Sequence, residues 1–152
     1  MLKSFYEIYN IHTSESELLK SSDRIISDEV LGTKILIAED NEINQEIIVE
    51  LLKSENLIPE IANNGKEVLE KLENSKYDLI LMDLQMPILD GYETTKQIRS
   101  MDKYNSLPII GLSAHAIAGI KEEVEKVGMN DYVSKPINPK EIFKIINKWA
   151  KW

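Results

Sequence analysis

The chain has 152 residues, of which 43% are hydrophobic and 29% charged, and it contains no cysteine. This composition suits one compact domain with a tail, and it excludes disulfide bonds, thiolate metal sites and a fibrous or largely disordered protein. The formal net charge of -8 argues against direct contact with nucleic acid, because phosphate binding needs clustered lysine and arginine. The sequence shows neither a secretory signal nor an apolar stretch of membrane-spanning length, which predicts a cytoplasmic protein.

Residues 1–33 differ in character from the rest of the chain. They are rich in serine and mixed in charge, and they contain no run of apolar residues typical of a strand. We interpret them as a linker or an appended helix. The main domain is predicted to span residues 34–152.

From Lys34 onward, apolar runs of strand length alternate with segments of helical period. Five such units follow one another, which is typical of an α/β domain wound on a parallel sheet. The predicted strands are 35–38, about 58–62, a run ending at Asp83, 108–113 and 131–134. The predicted helices follow Asn41, follow Gly65, run from Tyr92 to about Met101, run from about Ala118 to Val127, and begin at Pro139.

Several positions have a specific local prediction. Asn41 has the side chain to cap the first helix, and Gly128 is placed to end the fourth helix in a left-handed conformation. The first helix should present one apolar face made of Ile43, Ile47, Ile48, Leu51 and Leu52. The last helix is amphipathic but lacks the basic cluster of a membrane-binding helix, so we expect it to cover the sheet.

Charged and hydroxyl side chains follow four of the five predicted strands. Glu39 and Asp40 follow the first strand, Asp83 the third, Ser113 the fourth and Lys135 the fifth. Parallel strands bring these positions to one edge of the sheet, where open α/β folds bind ligands. Converging carboxylates need a positive partner, and oxygen ligands favour a hard cation such as Mg²⁺. With a metal bound, Asp83 becomes a plausible nucleophile toward a phosphoryl group.

Taken in order, these motifs resemble those of the receiver domain of two-component response regulators. The resemblance spans about residues 34–150 and implies a flavodoxin-like (βα)5 fold, a doubly wound parallel sheet of strand order 2-1-3-4-5. The amino-acid sequence around Glu39 and Asp83 is similar to that of receivers attached to hybrid sensor histidine kinases. The motifs are Glu39-Asp40-Asn41, Asp83-Leu84-Gln85-Met86-Pro87, Asp90-Gly91, Ser113-Ala114 and Lys135-Pro136.

The resemblance implies roles for the residues at the metal and phosphoryl positions. Asp83 would be the phosphoacceptor, and Lys135 would pair with the phosphoryl group. Mg²⁺ would be held directly by Asp40, Asp83 and the main-chain carbonyl of Gln85, with Glu39 acting largely through water. The Lys135-Pro136 bond is expected to be cis, which base rates alone would not suggest.

A second group of roles concerns the switch that follows phosphorylation. Ser113, in place of the commoner threonine, would move to bond the phosphoryl group, and Tyr132 matches the switch aromatic of the family. Gln85 and His115 occupy positions that tune how long the phosphate survives.

The function implied is a phosphoacceptor in a two-component phosphorelay, a signalling part rather than a metabolic enzyme. Its partner would be a histidine kinase or a histidine phosphotransfer domain, with no direct contact to nucleic acid or membrane. The chain would be a free-standing receiver or the C-terminal part of a hybrid kinase, and a monomer or weak dimer.

Two alternatives remain open in the sequence. One is a receiver-like docking module that is not phosphorylated. The other is a haloacid-dehalogenase-like phosphatase, which needs a second aspartate two residues after the nucleophile, where this chain has Gln85.

Overall fold

A computed structural model describes residues 26–115 and 117–150. It shows one five-stranded sheet in the order β2-β1-β3-β4-β5, with all paired strands parallel. The strands are β1 (Lys34–Ala38), β2 (Ile58–Ala62), β3 (Leu79–Asp83), β4 (Ile109–Ser113) and β5 (Asp131–Ser134). The helices are α1 (Glu42–Ser54), α2 (Gly65–Asn74), α3 (Gly91–Arg99), α4 (Ile120–Val127) and α5 (Pro139–Ala150).

The predicted α/β fold and strand order are confirmed. The central strands β3 and β4 are buried along their whole length, because helices cover both faces of the sheet. Alternate residues of a strand therefore enter opposite halves of the core: Ile35 and Ile37 enter one half, while Leu36 and Ala38 enter the other. Within the described residues, no helix is long and apolar enough to cross a bilayer.

The helices that follow β1, β2 and β3 begin in the same way. The side chains of Asn41, Asn64 and Asp90 each accept a hydrogen bond from a backbone N–H three residues further on. The predicted cap at Asn41 is therefore confirmed. Gly128 ends α4 with φ of 106°, as predicted, and the Lys135-Pro136 bond is cis.

The structure corrects one predicted core position. Ile43 does not belong to the buried face of α1, because its side chain is 69% exposed, whereas Ile48 and Leu51 are buried. Ile43 is the second residue of α1, at the end of the helix next to the strand exits, so it lies beyond the apolar surface of the sheet. Helix α4 begins at Ile120 rather than Ala118, since Gly119 has φ of 90° and cannot continue a right-handed helix.

A short segment before β1 packs against the domain. Ile26 and Val30 are almost fully buried within the half of the core that contains residues of α1 and α5. The backbone N–H of Ile26 donates to Glu55 at 3.2 Å, and that of Ser27 donates to Asn147 at 3.0 Å. A 3-10 helix, Asp28–Val30, lies between these contacts and the strand. Residues 1–25 lie outside the described part of the chain, and the domain boundary at residue 34 stays a prediction.

We expect Ile26→Ala to lower the free energy of unfolding by about 2–4 kcal/mol, because the substitution empties a buried site that the core only partly refills. The same change at exposed Ile43 should alter it by no more than about 0.5 kcal/mol. Urea unfolding followed by circular dichroism measures both variants. Equal stabilities would show that the buried Ile26 side chain contributes nothing to the stability of the fold.

A polar cluster covers the edge strand β2 on the side of α2. Glu60 accepts hydrogen bonds from the Tyr77 hydroxyl at 2.9 Å and forms an ion pair with Lys34 at 2.9 Å. The Lys34 ammonium also lies 4.9 Å from the centre of the Tyr77 ring. Burial and the neighbouring Glu60 carboxylate raise the pKa of Tyr77 to about 12. The contacts with Lys34 and Tyr77 lower the pKa of Glu60.

The raised pKa of Tyr77 predicts a loss of stability at high pH. The unfolded chain releases this phenolic proton near pH 10 and the folded chain near 12, so the contribution of Tyr77 is complete below pH 10 and falls as pH rises between the two values. Absorbance at about 295 nm should show a last tyrosine step near pH 12 that Tyr77→Phe removes. If all tyrosines of the folded protein had lost their phenolic protons by pH 11, the predicted environment of Tyr77 would be contradicted.

Candidate functional site

Three carboxylates meet at the carboxyl edge of the sheet. Glu39 and Asp40 directly follow β1, and Asp83 is the last residue of β3. These two strands are neighbours, with Ala38 opposite Met82, so their exits lie side by side. One oxygen from each carboxylate lies within 4.8 Å of the others. Glu39 and Asp83 are buried and Asp40 is exposed, so the cluster opens to solvent on one side.

Lys135 provides the positive charge at this cluster. It follows β5, two strands away from β3, and its backbone N–H donates to the Ser113 carbonyl at 2.7 Å, which extends the pairing of β5 with β4. Its ammonium group donates to Glu39 Oε1 at 2.7 Å and to Asp83 Oδ2 at 3.1 Å. A single side chain therefore joins the exits of β1, β3 and β5.

The cluster contains three carboxylates but only one ammonium group. Burial raises the pKa of Glu39, and its contact with the Asp83 carboxylate adds to the rise, while Lys135 opposes it. Burial would lower the pKa of Lys135, but its hydrogen bonds and attraction to the two carboxylates outweigh burial and raise it. One ammonium facing three carboxylates leaves an excess of negative charge. This set of oxygen donors suits a hard divalent cation.

Asp83 is oriented by its own chain as well as by Lys135. Its Oδ1 accepts a hydrogen bond from the backbone N–H of Gln85 at 3.2 Å, while Oδ2 faces the lysine. The Leu84 N–H donates to the Leu112 carbonyl at 3.1 Å and continues the β3–β4 pairing. The carboxylate is thus held at a rigid strand end, which is how a packed scaffold fixes a reactive group.

Gly91 allows α3 to begin directly against the end of β3. A Cβ at this position would overlap the carbonyl oxygen of Asp83 and would lie 3.0 Å from the Leu84 Cα and the Met82 Cγ. The Gly91 N–H donates to the Leu84 carbonyl at 3.2 Å. In the sequence the Asp90-Gly91 pair indicated only a turn, because the close approach depends on the tertiary fold.

The predicted switch and lifetime residues lie around the cluster without joining it. The Ser113 hydroxyl donates to the His115 carbonyl at 2.6 Å and accepts from the His115 N–H at 3.2 Å. Tyr132 is half-buried and packs against the half of the core that contains Leu84. The Gln85 and His115 side chains are exposed. The structure therefore brings Glu39, Asp40, Asp83 and Lys135 together, with Ser113 and Tyr132 in strands β4 and β5, and Gln85 and His115 in the loops after β3 and β4.

Gln45 supports the site, although the sequence gave no reason to choose it. Its side-chain amide donates to the Glu39 carbonyl at 2.5 Å and to Asn63 Oδ1 at 2.8 Å. It thereby ties the exit of β1 to that of β2. Its spacing of one helical turn from the Asn41 cap is the signal that could have found it.

The chain belongs to the response regulator receiver domain family, whose profile matches residues 35–147. A similar relative is the hybrid signal transduction histidine kinase I of Dictyostelium discoideum, 43% identical over 130 residues that cover 81% of this chain and 8% of the relative. The histidine kinase BarA of Escherichia coli is 30% identical over 138 residues, 91% of this chain and 15% of the relative. The chain thus spans only a small part of the length of these curated relatives.

Solved structures of receiver domains share the fold. The receiver domain of the sensor histidine kinase PA1611 from Pseudomonas aeruginosa, with magnesium in its active-site cleft, is 38% identical and covers 78% of this chain and 98% of its own, with a TM-score of 0.73. Another similar structure is a complex of the Saccharomyces cerevisiae histidine phosphotransfer protein Ypd1 with the receiver domain of Ssk1. The matched chain of this complex is 34% identical, and the match covers 79% of this chain and 90% of that chain, with a TM-score of 0.74.

Gly91→Ala should destabilise the domain by about 1–3 kcal/mol, because the added methyl group overlaps the end of β3. The direction of this stability change is informative, because Ala normally stabilises a helix relative to Gly by about 1 kcal/mol. Gln97→Ala, at an exposed position of the same helix, is the control and should leave stability nearly unchanged. Thermal unfolding measures both variants, and a stabilised Gly91→Ala protein would refute the close approach.

Proposed function

We propose that the chain is a phosphoacceptor receiver domain in which Asp83 takes a phosphoryl group from a histidine of a partner protein. The observation that carries the proposal is that the Lys135 ammonium contacts both Asp83 and Glu39. Asp40 lies beside these two carboxylates, and all three stand at the ends of the neighbouring strands β1 and β3. Such a set offers a nucleophile, a cation for the developing charge and oxygen ligands for a metal.

The transfer requires little covalent chemistry from the protein. A carboxylate oxygen of Asp83 forms a bond to phosphorus as the bond from phosphorus to the histidine nitrogen breaks, and that nitrogen keeps the electron pair. Lys135 would pair with the phosphoryl oxygens, and its ammonium group lies 3.1 Å from Asp83 Oδ2, which supports this role. The rigid end of β3 fixes the attacking group, so most of the rate enhancement comes from positioning and charge.

The donor set fits Mg²⁺. Asp40, Asp83 and the carbonyl of Gln85 would hold the ion directly, and buried Glu39 would act through water. When bound, Mg²⁺ supplies positive charge that Lys135 alone does not provide to three carboxylates and a phosphoryl group. The magnesium found in the cleft of the PA1611 receiver supports this assignment.

The modified domain would act through a switch. At the end of β4, the Ser113 hydroxyl donates to the His115 carbonyl at 2.6 Å, and it would have to leave this contact to reach a phosphoryl oxygen. Movement of Ser113 would free space that half-buried Tyr132 could occupy, shifting the population toward a partner-binding state. Gln85 and His115, both exposed beside the site, would set the lifetime of the phosphate.

The partner would be a histidine kinase or a histidine phosphotransfer protein. The similarity to receivers of hybrid kinases, and the complex of a yeast receiver domain with Ypd1, support this choice. We infer that the chain is a signalling part of a cytoplasmic phosphorelay, as a monomer or weak dimer. Membership of a full hybrid kinase remains part of the proposal, since the chain spans 8% of the first such relative.

The first test is the intact mass of the protein after incubation with acetyl phosphate, with and without Mg²⁺. We expect one added phosphoryl group that depends on Mg²⁺ and is lost in Asp83→Asn, because an amide is neither a nucleophile nor a good metal ligand. Asp102→Asn, at an exposed position away from the site, is the matched control and should label normally.

Two outcomes would contradict the proposal. Undiminished labelling of a folded Asp83→Asn protein would move the acceptor to another residue. A folded wild-type protein that gains no mass from acetyl phosphate, and none from a phosphorylated histidine phosphotransfer protein, would instead support a docking module that is not phosphorylated.

A further inference from the structure

Asp40 is held differently from the other two carboxylates of the cluster. The Lys135 ammonium contacts Glu39 and Asp83 directly. The Asp40 carboxylate is exposed, and within the described part of the chain no group forms a hydrogen bond or an ion pair with it. The main chain on either side of Asp40 therefore decides where this carboxylate stands.

Gln45 bonds that main chain on both sides of Asp40. Its backbone N–H donates to the Asn41 carbonyl at 2.9 Å, and its side-chain amide donates to the Glu39 carbonyl at 2.5 Å. Strand β1 ends at Ala38, so Asp40 lies beyond the pairing of the sheet. One residue of α1 thus holds the carbonyl before Asp40 and the carbonyl after it.

The Gln45 side chain is itself anchored to the start of α2. Its amide also donates to Asn63 Oδ1 at 2.8 Å, so two acceptors share the two hydrogens of the amide. The Asn63 amide and the Asn63 N–H each donate to Glu67 Oε1 at 3.1 Å, and Glu67 lies in the first turn of α2. Three side chains in succession therefore connect a helix start to the peptide group before Asp40.

We propose that Gln45 is the positioning residue for Asp40 and thereby sets the affinity of the site for Mg²⁺. This inference rests on the proposed function, in which Asp40 is a direct ligand of the ion. Mg²⁺ demands near-ideal octahedral geometry, so a ligand on a loosely held main chain must be ordered when the ion binds. Groups that hold a metal ligand in place commonly contribute about ten- to a hundredfold to metal affinity.

The test measures Mg²⁺ binding to the full chain by isothermal titration calorimetry. Gln45→Met keeps the length of the side chain and removes both donors, so we expect the Kd for Mg²⁺ to rise about tenfold. The rate of labelling by acetyl phosphate should fall at low Mg²⁺ but stay within about twofold of wild type at saturating Mg²⁺, because Asp83 and Lys135 are unchanged. Gln97→Met, at an exposed position of α3, is the matched control and should bind Mg²⁺ as wild type does.

Asn63→Ala tests the anchor of Gln45 at an exposed position, where a substitution leaves the fold intact. It should raise the Kd for Mg²⁺ about two- to fivefold, as expected for the loss of one hydrogen bond. Because Asn63 acts through Gln45, it should have no further effect in a chain that already carries Gln45→Met.

A folded Gln45→Met protein with the wild-type Kd for Mg²⁺ would overturn the inference, and so would an Asn63→Ala protein with an unchanged Kd. A labelling rate of Gln45→Met that stays low at saturating Mg²⁺ would also overturn it, because Gln45 would then act on the fold or on Asp83 and not on the binding of the ion. A wild type that binds no Mg²⁺, or that gains no mass from acetyl phosphate, would instead mean that the proposed function fails.

Discussion

The pairing of one lysine with two buried carboxylates is the interaction on which the site depends. Lys135 reaches Glu39 and Asp83 from a strand that is not adjacent to either of theirs, and so fixes three strand exits relative to one another. Removing the lysine would leave Glu39 buried with a charge that nothing balances, which is far more unfavourable than losing an exposed pair. The same contact also holds the Asp83 carboxylate 3.1 Å from the Lys135 ammonium.

The rest of the fold holds this edge rigid. Asp83 ends a strand that is buried throughout, and the close approach of Gly91 packs the start of α3 against it. Three capped helix starts and the Gln45 amide fix the remaining loops through hydrogen bonds. Positioning of this kind suits phosphoryl transfer, where the protein contributes geometry and charge more than covalent chemistry.

Much of this could be predicted from the sequence, because strand-length apolar runs and capping residues are local signals. The strands and the caps are of this type, and so is the placement of chemistry at strand exits. Local signals do not predict three other features: the burial of Ile26, the exposure of Ile43 and the contact of Gly91 with β3. Each of these depends on which surfaces the folded chain brings together. The φ of Ile88 is 70°, which contradicts the local preference of its residue type, so propensity would always miss it.

Two features of the free domain are unfavourable in the same place. Burial raises the pKa of Glu39, so its charged form lowers the stability of the fold as pH rises above the usual glutamate value. Ile88 is strained and exposed five residues after Asp83. A cation beside the three carboxylates would favour the charged form of Glu39 and so oppose the effect of its burial. Such a cation would stabilise the folded chain, because only the folded chain brings the three carboxylates together.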